Sequence, residues 1–196
     1  MFGTPSQADA LTGATRLFWL PDQPPTSRVG YSGAPQTIRV MCHAALGDQK
    51  SFDTRRLAES VCEHLDSKDY ASEYLALYYF LLQRTRYMRD PRRTELVRDP
   101  SVISRQIIAG FRPSIDCDDM ATWLAAAVLS VGGQPDFVTV AFANQFFNGQ
   151  RQYSHVYCRA LEPRSKTHVV LDPVAAEKTP QMLRRVKAAL VWPVEG

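Results

Sequence analysis

The hydrophobic period of this chain changes once, at Gly132-Gly133. Upstream of the glycines, apolar residues recur every three or four positions, as on one face of a helix; downstream they alternate, as on a strand. "DTRRLAESVCEHL" (53–65) sets Leu57, Val61 and Leu65 at four-residue steps and predicts a helix started by Asp53 or Thr54. "ASEYLALYYFLLQRTRYM" (71–88) is apolar nearly all round and predicts a central helix. Another helix starts near Cys117. It presents Met120, Leu124, Ala127 or Val128, and Val131 as its buried stripe and is stopped by the glycine pair. Beyond it, "DFVTVAFA" (136–143), "QYSHVYCRAL" (152–161) and "THVVLDP" (167–173) predict strands. "QTIRVM" (36–41) reads as one short strand and "TPQMLRRVKAAL" (179–190) as a last helix, while Asp-Pro at 90–91 and 99–100 bounds a loop. Helices first, then strands joined by tight turns, make an α+β domain with an antiparallel sheet.

The turns predict a register. Asn148-Gly149 is a strong hairpin signal, and with these two residues as the loop Phe142 faces His155 and Val140 faces Tyr157. "EPRS" (162–165) is the next turn; with Pro163 and Arg164 as its loop, His155 lies opposite Asp172. Opposed residues share a sheet face with Cβ atoms roughly 4.5–5.5 Å apart, close enough for an imidazole to bond a carboxylate. A one-residue slip would send one partner to the other face. His168 shares a strand with Asp172 but lies about 13 Å along it. His43 falls in a loop before the helices, and His64 near a helix end, where an imidazolium suits the dipole. His155 alone gains a carboxylate from this geometry.

Composition narrows the class. The 196 residues favour one domain, 45% of them are apolar, and the net charge of +3 is too small to argue for nucleic acid. No apolar run reaches the length of a membrane span, and the first residues lack the basic and apolar regions of a signal peptide. Four cysteines without a C-x-x-C pair suggest neither zinc nor a disulfide framework, and fit reduced thiols in a protein made in the cytosol. Residues 1–35, rich in proline and glycine, read as an extended arm suited to docking; residues 36–196 form the domain.

Cys117 sits at a helix start among Asp116, Asp118 and Asp119. Asp116 can cap the helix, and the other two suit its positive end. The free N–H groups there can stabilise a thiolate, an incoming imidazolium would add to the effect, and the same donors could hold an oxyanion. A cysteine at a helix start is more often a small packed residue, and a strand histidine more often structural; it is their combination with a fixed register that favours a triad of Cys117, His155 and Asp172. Cys42, Cys62 and Cys158 have no comparable setting.

These segments are recognisable. "DCDDMATWLAAAVLSVGGQPDFVTVAF", "YSHVYCRA" and "HVVLDPVA", in this order, resemble the transglutaminase-like superfamily of cysteine enzymes, closest to its bacterial and phage branch; the likeness covers about residues 55–175, with "RTRYMRDPRRTELVRDP" as its lead-in. The resemblance implies a papain-like core, Cys117 as nucleophile, His155 as base, Asp172 as orienting acid, and acyl chemistry through a thioester without a metal or organic cofactor. The sequence departs from the family at Ile115, where a glycine is usual.

Three function classes follow. The leading one is a cysteine hydrolase of peptide or isopeptide bonds, with an amine-accepting acyl transferase as its variant. The second is a phage-type tail or virion assembly protein carrying a vestigial or secondary triad, which would dock through residues 1–35 and end in a virion. The third, nucleic-acid binding through "QRTRYMRDPRR" (83–93), ranks last because Asp90 interrupts the basic run.

Overall fold

The structure is a computed structural model that describes residues 34–89, 97–147, 149–175 and 185–195. Residues 1–33 of the arm and Asn148 lie outside the described residues, as do most of the loop between the Asp-Pro pairs and residues 179–184 of the last expected helix, while Ala34 and Pro35 open the first helix.

Helices α1 (Ala34–Asp48), α2 (Phe52–Cys62) and α3 (Tyr70–Arg84) come first, followed by a two-residue strand β1 (Arg86–Tyr87) and helix α4 (Pro100–Ile108). A short β2 (Ser114–Ile115) leads into α5 (Cys117–Ser130), and the strands described after it are β3 (Pro135–Ala141), β4 (Phe146–Phe147), β5 (Gln150–Arg151), β6 (His155–Glu162), β7 (Thr167–Leu171) and β8 (Ala188–Pro193). A single 3-10 turn, Pro173–Ala175, follows β7. Among the described residues, no helix is long and apolar enough to cross a membrane.

Four sequence expectations are corrected. Residues 36–41 are helical: α1 buries Ile38, Met41 and Ala45, a helical spacing that a six-residue window is too short to show, and His43 rides on this helix. The α2 cap is Ser51, whose side chain accepts from the Thr54 N–H at 3.2 Å, one turn before Leu57. Helix α4 went unread, although Asp99 as its flanking residue and Pro100 at its first position are a start signal. Residues 188–193, partly assigned above to a helix, form β8. The free edge of β3 needs a hydrogen-bonding partner, and Val191 and Trp192 suit an extended strand; this outweighs the helical preference of Ala188, Ala189 and Leu190.

The centre of the molecule is α5 rather than α3. Every residue from Asp118 to Val128 is buried, because the other helices and the sheet close around the helix. Trp123 anchors it: the indole N–H donates to Ser104 Oγ at 2.9 Å and the ring stacks on Phe80. Gly132 ends α5 with φ of 84°, and Gly133 has no room for a side chain, since a Cβ there would meet the Tyr74 hydroxyl and Val128 Cγ1.

The main sheet is antiparallel in the order β7-β6-β3-β8. One face sends Phe137, Val156, Cys158, Ala160, Val169 and Leu171 into the core around α5. The other carries Val138, Val140 and Tyr157, with Phe142, Val170, Val186, Ala189 and Val191 packed against them.

Both registers differ from the expectation by two residues. At the hairpin tip, Phe146 pairs with Arg151 and Phe147 with Gln150, as a two-residue loop requires. The main ladder then pairs Val140 with His155 and Val138 with Tyr157, because five residues (141–145) on the outgoing side oppose three (152–154) on the return. The second turn is a four-residue loop, 163–166, with Lys166 in a left-handed conformation at φ of 56°. The Glu162 carboxylate holds this loop by accepting from the N–H groups of Arg164 at 3.0 Å and Ser165 at 2.6 Å. Leu171 therefore pairs with Cys158, and Asp172 leaves the strand one step further on.

Candidate active site

A slip of two restores every side chain to its expected face, because strand side chains alternate with period two. His155 and Asp172 consequently stay on one face, now as diagonal rather than opposed neighbours. His155 Nε2 lies 2.9 Å from Asp172 Oδ2, and both side chains are less than a tenth exposed. With Asp172 as acceptor, the ring proton sits on Nε2 and Nδ1 keeps its lone pair. Phe142 stacks on the imidazole at a centroid distance of 6.2 Å and Tyr157 flanks it at 6.3 Å. The Tyr78 hydroxyl, from α3, donates to the Asp172 backbone carbonyl at 3.5 Å and ties the exit of β7 to the helices.

Cys117 is the first residue of α5 and is partly buried. Its sulfur lies by the backbone N–H of Val156, the residue after His155, and this N–H and that of Cys117 itself favour the thiolate. The helix of Cys117 and the strand of His155 thus meet at one peptide unit. The segment before α5 is fixed from outside. The Arg98 N–H donates to Asp119 Oδ1 at 2.7 Å, and its guanidinium donates to the Ser114 carbonyl at 3.0 Å and lies 3.5 Å from Asp119 Oδ2. Asp116 caps the helix, its carboxylate accepting from the Asp119 N–H at 3.4 Å.

The surroundings of the sulfur work against a resting thiolate. Burial pushes the Cys117 thiol up to about 12; the two N–H groups oppose this, and the charges of Asp118 and Asp116 add to it. Asp118 is buried rather than spread at a solvated helix end, and burial beside the Asp116 carboxylate raises it far above the usual carboxylate range. It follows that alkylation of Cys117 by iodoacetamide should accelerate by about tenfold per pH unit from pH 6 to 9, without levelling near neutrality. Mass-spectrometric labelling rates measure this; a plateau below pH 7 would mean that a thiolate is present at rest.

The remaining candidates separate cleanly. His168 is at the far end of the sheet, 3.5 Å from Asp136, whose carboxylate also accepts from Arg159 at 2.8 Å. His64 is exposed beside Glu63. Cys158 is fully buried in the core, and Cys62 is half-buried and raised to about 12 by burial and the Glu73 charge. Ile115, at the position where the family has glycine, is buried and pairs with Tyr87 of β1. That pairing brings Tyr87 beside Cys117: burial raises its phenol, Arg89 lowers it by a hydrogen bond, and the charges of Cys117 and Asp116 raise it further. The sequence marks Tyr87 within the basic run 83–93 and not as a site residue, because the β1–β2 ladder that brings it here joins residues 28 apart. Among the described residues, no group of three or more histidines, cysteines or carboxylates is placed to hold a metal ion.

No protein-family model matches the chain, and no curated protein does. Two solved structures are similar to it. A "putative protease" from Parabacteroides distasonis aligns with a TM-score of 0.50 at 10% identity, over 68% of this chain and 26% of that one. A "putative cysteine protease" from Cytophaga hutchinsonii aligns with a TM-score of 0.37 at 15% identity, over 70% of this chain and 45% of that one. The chain thus spans about a quarter of the first and less than half of the second. The likeness to the first is one of fold: helices packed on an antiparallel sheet, as in a structure described as a protease.

Proposed function

We propose that this chain is a cysteine hydrolase with a papain-like, transglutaminase-like core that cleaves peptide or isopeptide bonds through a thioester on Cys117. The observation that carries the reading is the buried 2.9 Å pair of His155 and Asp172, held one residue from the N–H that faces the Cys117 sulfur. A neutral resting thiol suits general-base catalysis. His155 Nδ1 takes the thiol proton as sulfur attacks the carbonyl carbon, and Asp172 stabilises the imidazolium that forms. The N–H groups at the start of α5 face the developing oxyanion. The tetrahedral intermediate collapses with loss of the amine, which receives the proton from His155, and leaves a thioester. Water, deprotonated by the same imidazole, then releases the acid. An amine in place of water would make the chain an acyl transferase with the same three residues.

The test is to trap the acyl-enzyme. A p-nitrophenyl ester should add one acyl group to the parent protein, located at Cys117 by mass spectrometry, and none to Cys117→Ala. Adding a primary amine then separates transfer from hydrolysis by the product formed. Acylation of the Cys117→Ala protein at the parent rate would sink the proposal.

A further inference from the structure

Among the described residues, strand β1 is paired along only one of its edges. The Arg86 N–H donates to the Pro113 carbonyl and the Met88 N–H to the Ile115 carbonyl, each at 2.9 Å. Successive residues of a strand turn their main-chain polar groups to opposite sides, so the N–H and C=O of Tyr87 point away from β2. Both residues of β1 are exposed, and Tyr87 and Met88 present large apolar side chains to solvent. An open strand edge of this kind is a template for another extended chain. Here it stands one strand spacing, about 4.8 Å, from β2, which runs directly through Asp116 into Cys117.

Among the described residues, the exposed charges beside β1 are basic. Arg84, Arg86 and Arg89 are exposed there, with Arg84 lying over the Phe80 ring. The neighbouring carboxylates Asp116, Asp118 and Asp119 are buried. An acidic chain would find complementary charge on the rim and no exposed carboxylate of that cluster.

We infer that the outer edge of β1 docks the polypeptide substrate as an added extended strand, with Tyr87 exchanging main-chain hydrogen bonds and the flanking arginines selecting acidic sequences. This rests on the proposed hydrolase reading, and it names the substrate class: an extended, acidic polypeptide whose main chain is read at Tyr87 before its amide reaches Cys117.

Binding tests it without chemistry, on the full chain carrying Cys117→Ala. The probe is a fluorescein-labelled acidic hexapeptide with one central leucine, followed by anisotropy. Single N-methyl groups are moved along its backbone. One position should weaken binding by about tenfold, with its immediate neighbours changing little, because only one substrate N–H can donate to the Tyr87 carbonyl. The lysine-for-glutamate counterpart of the peptide should bind about tenfold or more weakly, and Arg86→Glu should narrow or invert that preference. N-methyl groups that all act alike, or a charge preference untouched by Arg86→Glu, would overturn the docking edge. Failure of the parent protein to form any acyl-enzyme would instead strike the hydrolase reading, while this binding result would still stand or fall by itself.

Discussion

Asp172→Ala should slow acylation of Cys117 by about 10³-fold while the protein still melts cooperatively. The carboxylate faces His155 Nε2 at 2.9 Å in a buried setting, so its removal frees the ring to turn and to place its proton on Nδ1, the nitrogen that must accept from the thiol. Asp172→Asn should fall between the parent and the alanine variant: its carboxamide oxygen can still accept from Nε2–H, but no charge opposes the imidazolium. His168→Ala should change the rate by less than about twofold, because His168 pairs with Asp136 at the other end of the sheet. Stopped-flow release of p-nitrophenol measures all three. A parental rate in a folded Asp172→Ala protein would make Asp172 a strand exit and nothing more.

Asp118→Asn should stabilise the fold, and increasingly so as pH rises. Asp118 holds its proton more tightly in the folded chain than in the unfolded one, since burial and the neighbouring Asp116 charge raise it to about 9. Folding is therefore opposed progressively from the ordinary carboxylate value of about 4 upward, and the opposition is complete near 9. Asparagine has no proton to lose and no charge to bury. Its gain should be close to nil at pH 4 and on the order of a few kcal/mol at pH 8. Urea midpoints of the two proteins at both pH values give the comparison; an equal gain at each pH would show that Asp118 is ionised in the folded chain.

Much of the arrangement around the candidate triad was legible in the sequence, for physical reasons that also explain the errors. The α5 boundaries follow from local signals, a capping aspartate and a glycine in the left-handed region. The face shared by His155 and Asp172 follows from period two, which survived two loop misreadings because each moved the register by an even step. The actual pairing did not follow. It depends on residues 141–145 exceeding 152–154, and on a four-residue turn held by Glu162; no dipeptide encodes either. Strand β8 was misread because its conformation is imposed by the vacant edge of β3, some fifty residues earlier. The burial of Asp118 beside Cys117 is a property of the packed helix bundle, invisible in the run "DCDD".

The complete burial of α5 bears on how Cys117 could be inhibited. A sulfur on a helix enclosed from Asp118 to Val128 is a fixed point, so a covalent warhead must come to it and cannot draw it outward. Selectivity then has to be built into the groups that extend from the warhead. The surface available to them is the exposed Tyr87 of β1 with Met88 beside it. A compound with a flat apolar arm would match it, while under the proposed mechanism its reactive carbon need only be weakly electrophilic, since a neutral thiol would gain its nucleophilicity from the histidine at the moment of attack.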